Sequence, residues 1–156
     1  MADTPVLEVE AVSRVYRKGG FFSGQKFKAV DSVSFTLPAT PQVYSIVGES
    51  GSGKTTLARM VLRLVDPSSG SIRLLGRPLT GKGPDRIDTL EFRRLVQPIF
   101  QNPFEAFSAY LPIEDYLRRT ALNLKVAQSV EEADALSDKA LRSVGLSLER
   151  IAGKYI

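Results

Sequence analysis

The stretch GESGSGKTT at residues 48–56 decides how this chain folds. It matches the phosphate-binding pattern G-x-x-x-x-G-K-[ST]. The apolar run at residues 43–47 before it predicts a buried strand, and the run at residues 57–65 after it predicts a helix. A glycine-rich loop between a strand and a helix aims backbone N–H groups and the positive end of the helix dipole at one point. The sequence therefore predicts an α/β fold with a polyphosphate site at this loop.

Each position of the loop has a predicted role. Its glycines let the backbone bend and approach the phosphates without a Cβ clash. Lys54 supplies a positive charge to the β- and γ-phosphates, Thr55 offers a hydroxyl to Mg²⁺, and Thr56 is a candidate donor to the α-phosphate. The candidate nucleotide contacts here are Gly48, Glu49, Ser50, Gly51, Ser52, Gly53, Lys54, Thr55 and Thr56. The structural alternative is a Gly/Ser turn that merely connects the strand to the helix.

The composition narrows the chemistry further. The chain has 156 residues, which is enough for one domain, or for one domain and part of another. It contains no Cys and no His, which excludes thiol chemistry, Cys-based metal sites and the commonest general base. We expect no signal peptide and no membrane span. The net charge of +4 is carried by scattered basic pairs, so we expect no nucleic-acid binding.

Apolar periodicity and turn residues divide the chain into elements. Strands are predicted at residues 6–12, 33–37, 43–47, 71–75 and 95–100, with an insertion loop at residues 19–24. Helices are predicted over residues 54–65 and 113–124. A third helix is predicted to open at the capping box Ser129–Glu132, and a short fourth one at Ser147. Gly145 is the predicted C-cap of the third helix. The predicted buried face of that helix carries Ala133, Leu136, Ala140 and Val144.

Taken together, these pieces resemble the ATP-binding subunit of ABC transporters, in the oligopeptide/dipeptide importer branch. Residues 29–35 look like the strand that precedes the loop in that family, and residues 47–59 are similar to its Walker A stretch. Residues 67–72 look like its P-x-S-G-x-I turn and strand. Residues 100–103 look like its Q-loop, which more often has Asp where Asn102 stands. The resemblance covers nearly the whole chain, in the right order and spacing.

The resemblance implies a P-loop NTPase core of the ABC ATPase type that binds ATP and Mg²⁺. Residues 1–101 would form the nucleotide-binding core with an N-terminal β-subdomain, and residues 102–156 the Q-loop and the start of a helical subdomain. Tyr16 takes the place of the aromatic that stacks on adenine, although the residues alone favour a half-buried surface tyrosine. Gln101 takes the place of the glutamine that approaches Mg²⁺ and the attacking water. Lys54 and Gln101 are thus the implied catalytic residues, and Thr55 and Gln101 the implied metal contacts.

Three motifs of the family are absent from this sequence. No apolar run ends in Asp-Glu, there is no L-S-G-G-Q signature, and the switch histidine is missing. Residues 22–25 resemble the signature only superficially. We therefore expect an N-terminal fragment that keeps part of the nucleotide site and lacks hydrolysis. The implied partners are a second ATP-binding subunit, transmembrane permease subunits and, indirectly, a solute-binding protein, at the cytoplasmic face of the inner membrane.

Other functions stay open at this stage. A GTPase would need an N-K-x-D motif, and none is present. A small-molecule kinase would need an Arg-rich lid and an acidic pair beyond the phosphate loop, and neither is convincing in this sequence. A non-catalytic interaction module, or a basic nucleic-acid binder with a vestigial loop, remains an alternative. If strands that normally flank the loop strand are missing, apolar edges become exposed. We therefore expect the isolated chain to self-associate or to be ordered only with a partner.

Overall fold

The computed structural model describes residues 4–18, 25–81, 83–102, 104 and 107–155. The chain divides into two compact units, Met1–Asp88 and Thr89–Ile156. The predicted insertion at residues 19–24 lies outside the described residues, and the boundary expected at residue 101 stays a prediction. The elements of the first unit are β1 (Leu7–Lys18), β2 (Gln25–Leu37), α1 (Lys54–Val61), β3 (Ser69–Leu74) and β4 (Arg77–Pro78). Those of the second are α2 (Thr89–Leu95), α3 (Ile113–Asn123), α4 (Val130–Arg142) and α5 (Leu148–Ile151).

An antiparallel sheet in the order β2-β1-β3-β4 forms the first unit. The predicted strands at residues 6–12, 33–37 and 71–75 are confirmed, and the first two are longer than expected. Gly70 lies so close to β1 that a Cβ there would sit 2.4 Å from the Ala11 carbonyl oxygen. The buried apolar side chains of this unit are Leu7, Val9, Val12, Val30, Leu57, Met60, Ile72, Leu74, Leu79 and Ile87.

The predicted strand at residues 43–47 is wrong. These residues have no regular secondary structure, and Val43 and Val47 are 95% and 88% exposed. Within the described part of the chain, no residue pairs with them through the backbone. An apolar run becomes a buried strand only where neighbouring strands accept its hydrogen bonds. Tyr44 of this segment stacks its ring on Phe35 of β2, with the ring centroids 5.3 Å apart.

The helix after the loop is confirmed but shorter than predicted. It ends at Val61, because Leu62 is its C-cap and Arg63 has a left-handed φ of 56°. Leu57 and Met60 are buried as expected, whereas Leu64 lies beyond the helix and is exposed. Helix α1 packs against β2, and this packing accounts for the burial of Leu57 and Met60.

In the second unit the predicted strand at residues 95–100 is also wrong. Leu95 ends the unpredicted helix α2, and residues 96–100 have no regular structure. Ile99 is 97% exposed. The apolar run spans two different structures. It begins at the end of an amphipathic helix that buries Phe92, and it continues into a segment in which Pro98 has no backbone N–H to donate.

Helices α3, α4 and α5 confirm the helical prediction for residues 113–151. Arg118 of α3 binds both oxygens of Asp134 of α4 at 2.6 and 3.0 Å and also contacts Asp115 at 3.0 Å. The predicted buried face of α4 is correct for Ala133 but wrong for Leu136, Ala140 and Val144, which are exposed. Ser137 is buried instead, one turn after Ala133, so the buried stripe is narrower and smaller than the apolar pattern suggested.

The predicted C-cap of α4 is also displaced. Ser143 is the C-cap, and Gly145 lies two residues beyond it with a left-handed φ of 76°. Its N–H donates to the Arg142 carbonyl at 3.1 Å. Across the described residues, every helix is too short or too polar to cross a bilayer.

Candidate functional site

The predicted phosphate loop leads directly into the N-terminus of α1. Gly53 is the N-cap residue, with a φ of 92°, and no side chain in the described part of the chain caps this terminus. A Cβ at Gly53 would lie 2.1 Å from the Ala29 carbonyl oxygen of β2, so only glycine fits. The first turn of α1 carries no acidic side chain. Its uncapped N–H groups and the positive end of the helix dipole therefore favour an anion here.

Lys54 lies across the loop that precedes it. Its ammonium donates to the carbonyl oxygens of Gly48 and Glu49, both at 2.7 Å, and lies 3.4 Å from the Ser52 hydroxyl. The Ser52 N–H donates to the Glu49 carbonyl at 3.2 Å and tightens the turn. The loop backbone thus holds a full positive charge next to the helix N-terminus.

A cavity of about 580 Å³ opens at the loop. Its lining residues are Phe27, Ala29, Ser50, Gly51, Gly53, Lys54, Thr55 and Thr56. The described lining residues offer an ammonium, hydroxyl groups and N–H groups, and none of them carries a carboxylate. This donor set fits a polyphosphate. A Mg²⁺ ion bound with it would take the Thr55 hydroxyl together with oxygens of the ligand, as is usual for this ion.

Tyr16 lies on β1, directly opposite Phe27 of β2. The two residues line a groove of about 600 Å³ together with Arg17, Gln25 and Lys26. One face of the half-buried Tyr16 ring is covered by the Arg14 guanidinium, 4.7 Å from the ring centroid. Arg14 is itself held by a 2.7 Å hydrogen bond to the Asp66 carbonyl oxygen. This cation–π contact fixes the tyrosine ring in place.

Gln101 belongs to the second unit. It is exposed, in a bend without regular secondary structure. Its role at the metal and the attacking water stays a prediction. Among the described residues, no group of three or more Asp or Glu side chains is arranged to hold a metal ion.

Sequence reasoning missed Phe27 and Arg14. Neither belongs to a motif, and an aromatic on a strand is usually part of a core. The signal that would reveal them is the register between β1 and β2, which pairs Tyr16 with Phe27 and Arg14 with Val30. Bulges shift this register between Val9 and Val15, so residue spacing alone does not give it.

The chain matches known proteins over most of its length. The family model described as "ABC transporter" matches residues 30–154. The chain is 36% identical over 146 residues to the di/tripeptide transport ATP-binding protein DppF of Pseudomonas aeruginosa, covering 92% of this chain and 44% of that protein. It is 31% identical over 147 residues to the oligopeptide transport ATP-binding protein OppF of Streptococcus mutans, covering 94% of this chain and 46% of that protein.

A solved structure shows the same fold. It is an ATP-binding cassette bound to ADP and Pi, in a dimeric post-hydrolysis state, and it matches with a TM-score of 0.64 at 19% identity. The match covers 95% of this chain and 61% of that structure. The chain spans between 42% and 46% of the length of the curated relatives it matches. Since the family model covers most of its residues, the chain belongs to the ABC transporter family, and its fold is that of the ABC ATPase core.

Proposed function

We propose that this chain binds ATP with Mg²⁺ through the loop at residues 48–56. The observation that carries the proposal is the cavity at the N-terminus of α1, where the residues that the structure describes present donors and a cation and no carboxylate. The loop N–H groups and Lys54 bind the phosphates, and the Thr55 hydroxyl holds the metal ion. Bound Mg²⁺ neutralises the charge on the β- and γ-phosphates. The adenine stacks on the face of Tyr16 opposite Arg14.

In a full-length protein, this binding serves ATP hydrolysis coupled to transport of peptides or similar small solutes. The names of the relatives DppF and OppF support peptides as the class of cargo. Gln101 approaches the metal and the attacking water in that protein. Its partners are a second ATP-binding subunit, permease subunits and, through them, a solute-binding protein, and it lies at the cytoplasmic face of the membrane.

The chain on its own binds nucleotide without turning it over. Hydrolysis needs a group that orients or deprotonates the attacking water. The sequence has no His, and the part of the cavity lining that the structure describes has no carboxylate for that task. The acidic cluster and the signature segment that complete such a site are absent from these 156 residues. A steady phosphate release from the purified chain, lost in Lys54→Ala, would contradict this part of the proposal.

Titration calorimetry with Mg-ATP tests the binding itself. Lys54→Ala removes a charge-assisted contact to the phosphates, so we expect the affinity to fall by about tenfold to a hundredfold. Lys28→Ala is the matched control. This substitution removes the same charge from an exposed ion pair with Asp31, and the affinity of the variant for Mg-ATP should equal that of the wild type.

The same calorimetry can also contradict the proposal. If the folded wild type produces no heat with Mg-ATP, the nucleotide proposal falls. Binding to DNA or RNA with a steep salt dependence and no effect of Lys54→Ala would then support the nucleic-acid alternative.

A further inference from the structure

Among the described residues, Phe27 is the one whose side chain lines both cavities of the candidate site. It borders the cavity at the phosphate loop, and it also borders the groove that contains Tyr16. Its ring is 56% exposed, although it belongs to a paired strand. An exposed aromatic at the junction of two cavities is a candidate ligand contact.

The strand geometry explains why the two cavities meet at this residue. Phe27 and Tyr16 are directly paired across antiparallel strands, so their side chains lie on one face of the sheet. Ala29, two residues later on β2, lines the cavity at the phosphate loop together with Phe27. The Ala29 carbonyl oxygen is also the atom against which Gly53 packs. One continuous strip of β2 thus leads from the phosphate loop, past Phe27, to Tyr16.

The chemistry of the strip matches the sequence of groups in a nucleotide. At one end, Lys54 and the helix N-terminus suit phosphates. At the other end lies the Tyr16 ring, one face of which is covered by the Arg14 guanidinium. The apolar ring of Phe27 lies between them, where the sugar and the near edge of the base would pass.

We propose that Phe27 is a second aromatic contact for the nucleotide, packed against the ribose and the base between the phosphate loop and Tyr16. This inference rests on the proposed nucleotide binding. Phe27 then selects nucleosides over inorganic polyphosphate. It does so without reading base identity, since stacking tolerates every base.

Two probes separate the contribution of Phe27 from that of the loop. Wild type, Phe27→Ala and Lys54→Ala are titrated with Mg-ATP and with inorganic tripolyphosphate and Mg²⁺. Loss of an aromatic contact should weaken ATP binding by Phe27→Ala about fivefold to a hundredfold and leave tripolyphosphate binding unchanged. Lys54→Ala should weaken the binding of both probes. Phe104→Ala, which removes an exposed ring from the second unit, is the matched control and should bind both probes as the wild type does.

The outcomes distinguish this inference from the proposed function. If the wild type binds ATP and Phe27→Ala binds it equally well, the role of Phe27 is wrong while the nucleotide site stands. Equal weakening for ATP and tripolyphosphate would also overturn it, because it would show damage to the loop. If the wild type binds neither probe, both proposals fall.

A fluorescence measurement provides a second readout. The chain has no Trp, so Phe27→Trp introduces a single reporter at the proposed contact. Saturation with Mg-ATP should change its emission, whereas tripolyphosphate should leave the emission unchanged. An indole emission that does not respond to ATP, in a variant shown to bind it by calorimetry, would overturn the proposal.

Discussion

At the scale of single residues, Gly53 determines whether the phosphate loop can form. It combines a left-handed φ of 92° with a contact to Ala29 that leaves no space for a Cβ. Gly81 has a similar φ of 85°, but a Cβ there would meet no atom within 4 Å. An alanine would meet backbone strain at both positions, but of the two it would meet a steric clash at residue 53 alone.

We predict that Gly53→Ala is more damaging than Gly81→Ala. Alanine at residue 81 should lower the free energy of unfolding by about 1–3 kcal/mol, the usual cost of an unfavourable backbone conformation. Alanine at residue 53 adds a clash with a strand carbonyl, so it should lower stability further and abolish Mg-ATP binding. Urea denaturation and calorimetry of both variants measure this. Equal stability losses with intact binding in Gly53→Ala would contradict the close approach to β2.

The residues of the candidate site differ in how visible they are in the sequence. The loop is recognised because its glycines, Lys54 and Thr55 all fall within residues 48–56, so the motif depends only on local spacing. Arg14 and Phe27 reach the site through strand pairing, and register shifts between β1 and β2 make that pairing unreadable from spacing. Local motifs are therefore predictable at this scale, whereas contacts across a bulged sheet are not.

At the scale of elements, the same rule separates the helices from the strands. Helices α4 and α5 begin where the sequence predicts, because Ser129 and Ser147 each accept a backbone N–H three residues later, at 3.2 and 3.3 Å. These caps are local and appear in the sequence. The runs at residues 43–47 and 95–100 have the apolar character of strands, but a strand also needs pairing partners that no local pattern reveals.

The carboxylate of Asp138 joins α4 to α5. One oxygen accepts the Leu148 N–H at 2.9 Å, and the other contacts the Arg142 guanidinium at 2.6 Å. The backbone hydrogen bond is the larger cause, and the arginine the next, of a pKa below the ordinary value of 3.8. Because the folded pKa is lower, this stabilisation is complete above the unfolded pKa and is lost as the pH falls through the folded pKa.

We predict that Asp138→Asn destabilises the second unit in a pH-dependent way. At pH 7 the variant should melt at a lower temperature than the wild type, because the amide accepts more weakly than a carboxylate. As the pH falls below about 4 and then through the lower folded pKa, the difference should shrink, because the wild-type carboxyl becomes protonated first in the unfolded and then in the folded chain. Circular dichroism melts at pH 7 and at a series of lower pH values measure this. Asp31→Asn is the control, because it alters an exposed ion pair. A difference in melting temperature that is constant with pH would show that the charge plays no part.

At the scale of the whole molecule, the main feature is exposed apolar surface on a segment without charge. Residues 37–48 contain no Asp, Glu, Lys or Arg. Val43, Tyr44, Ile46 and Val47 are all exposed, and their backbone groups have no partner among the described residues. An uncharged apolar segment with free backbone donors and acceptors is a template for strand pairing with another chain.

We predict that the purified chain self-associates through residues 43–47. Association should increase with concentration in light scattering, because it removes apolar side chains from water and pairs free backbone groups. A variant with Val43→Lys and Val47→Lys should remain smaller at the same concentration, since charges oppose edge pairing. The matched control changes two exposed valines of the second unit, Val126→Lys and Val144→Lys, and should associate like the wild type. A stable monomer with two-state melting would show that the exposed segment is tolerated without a partner.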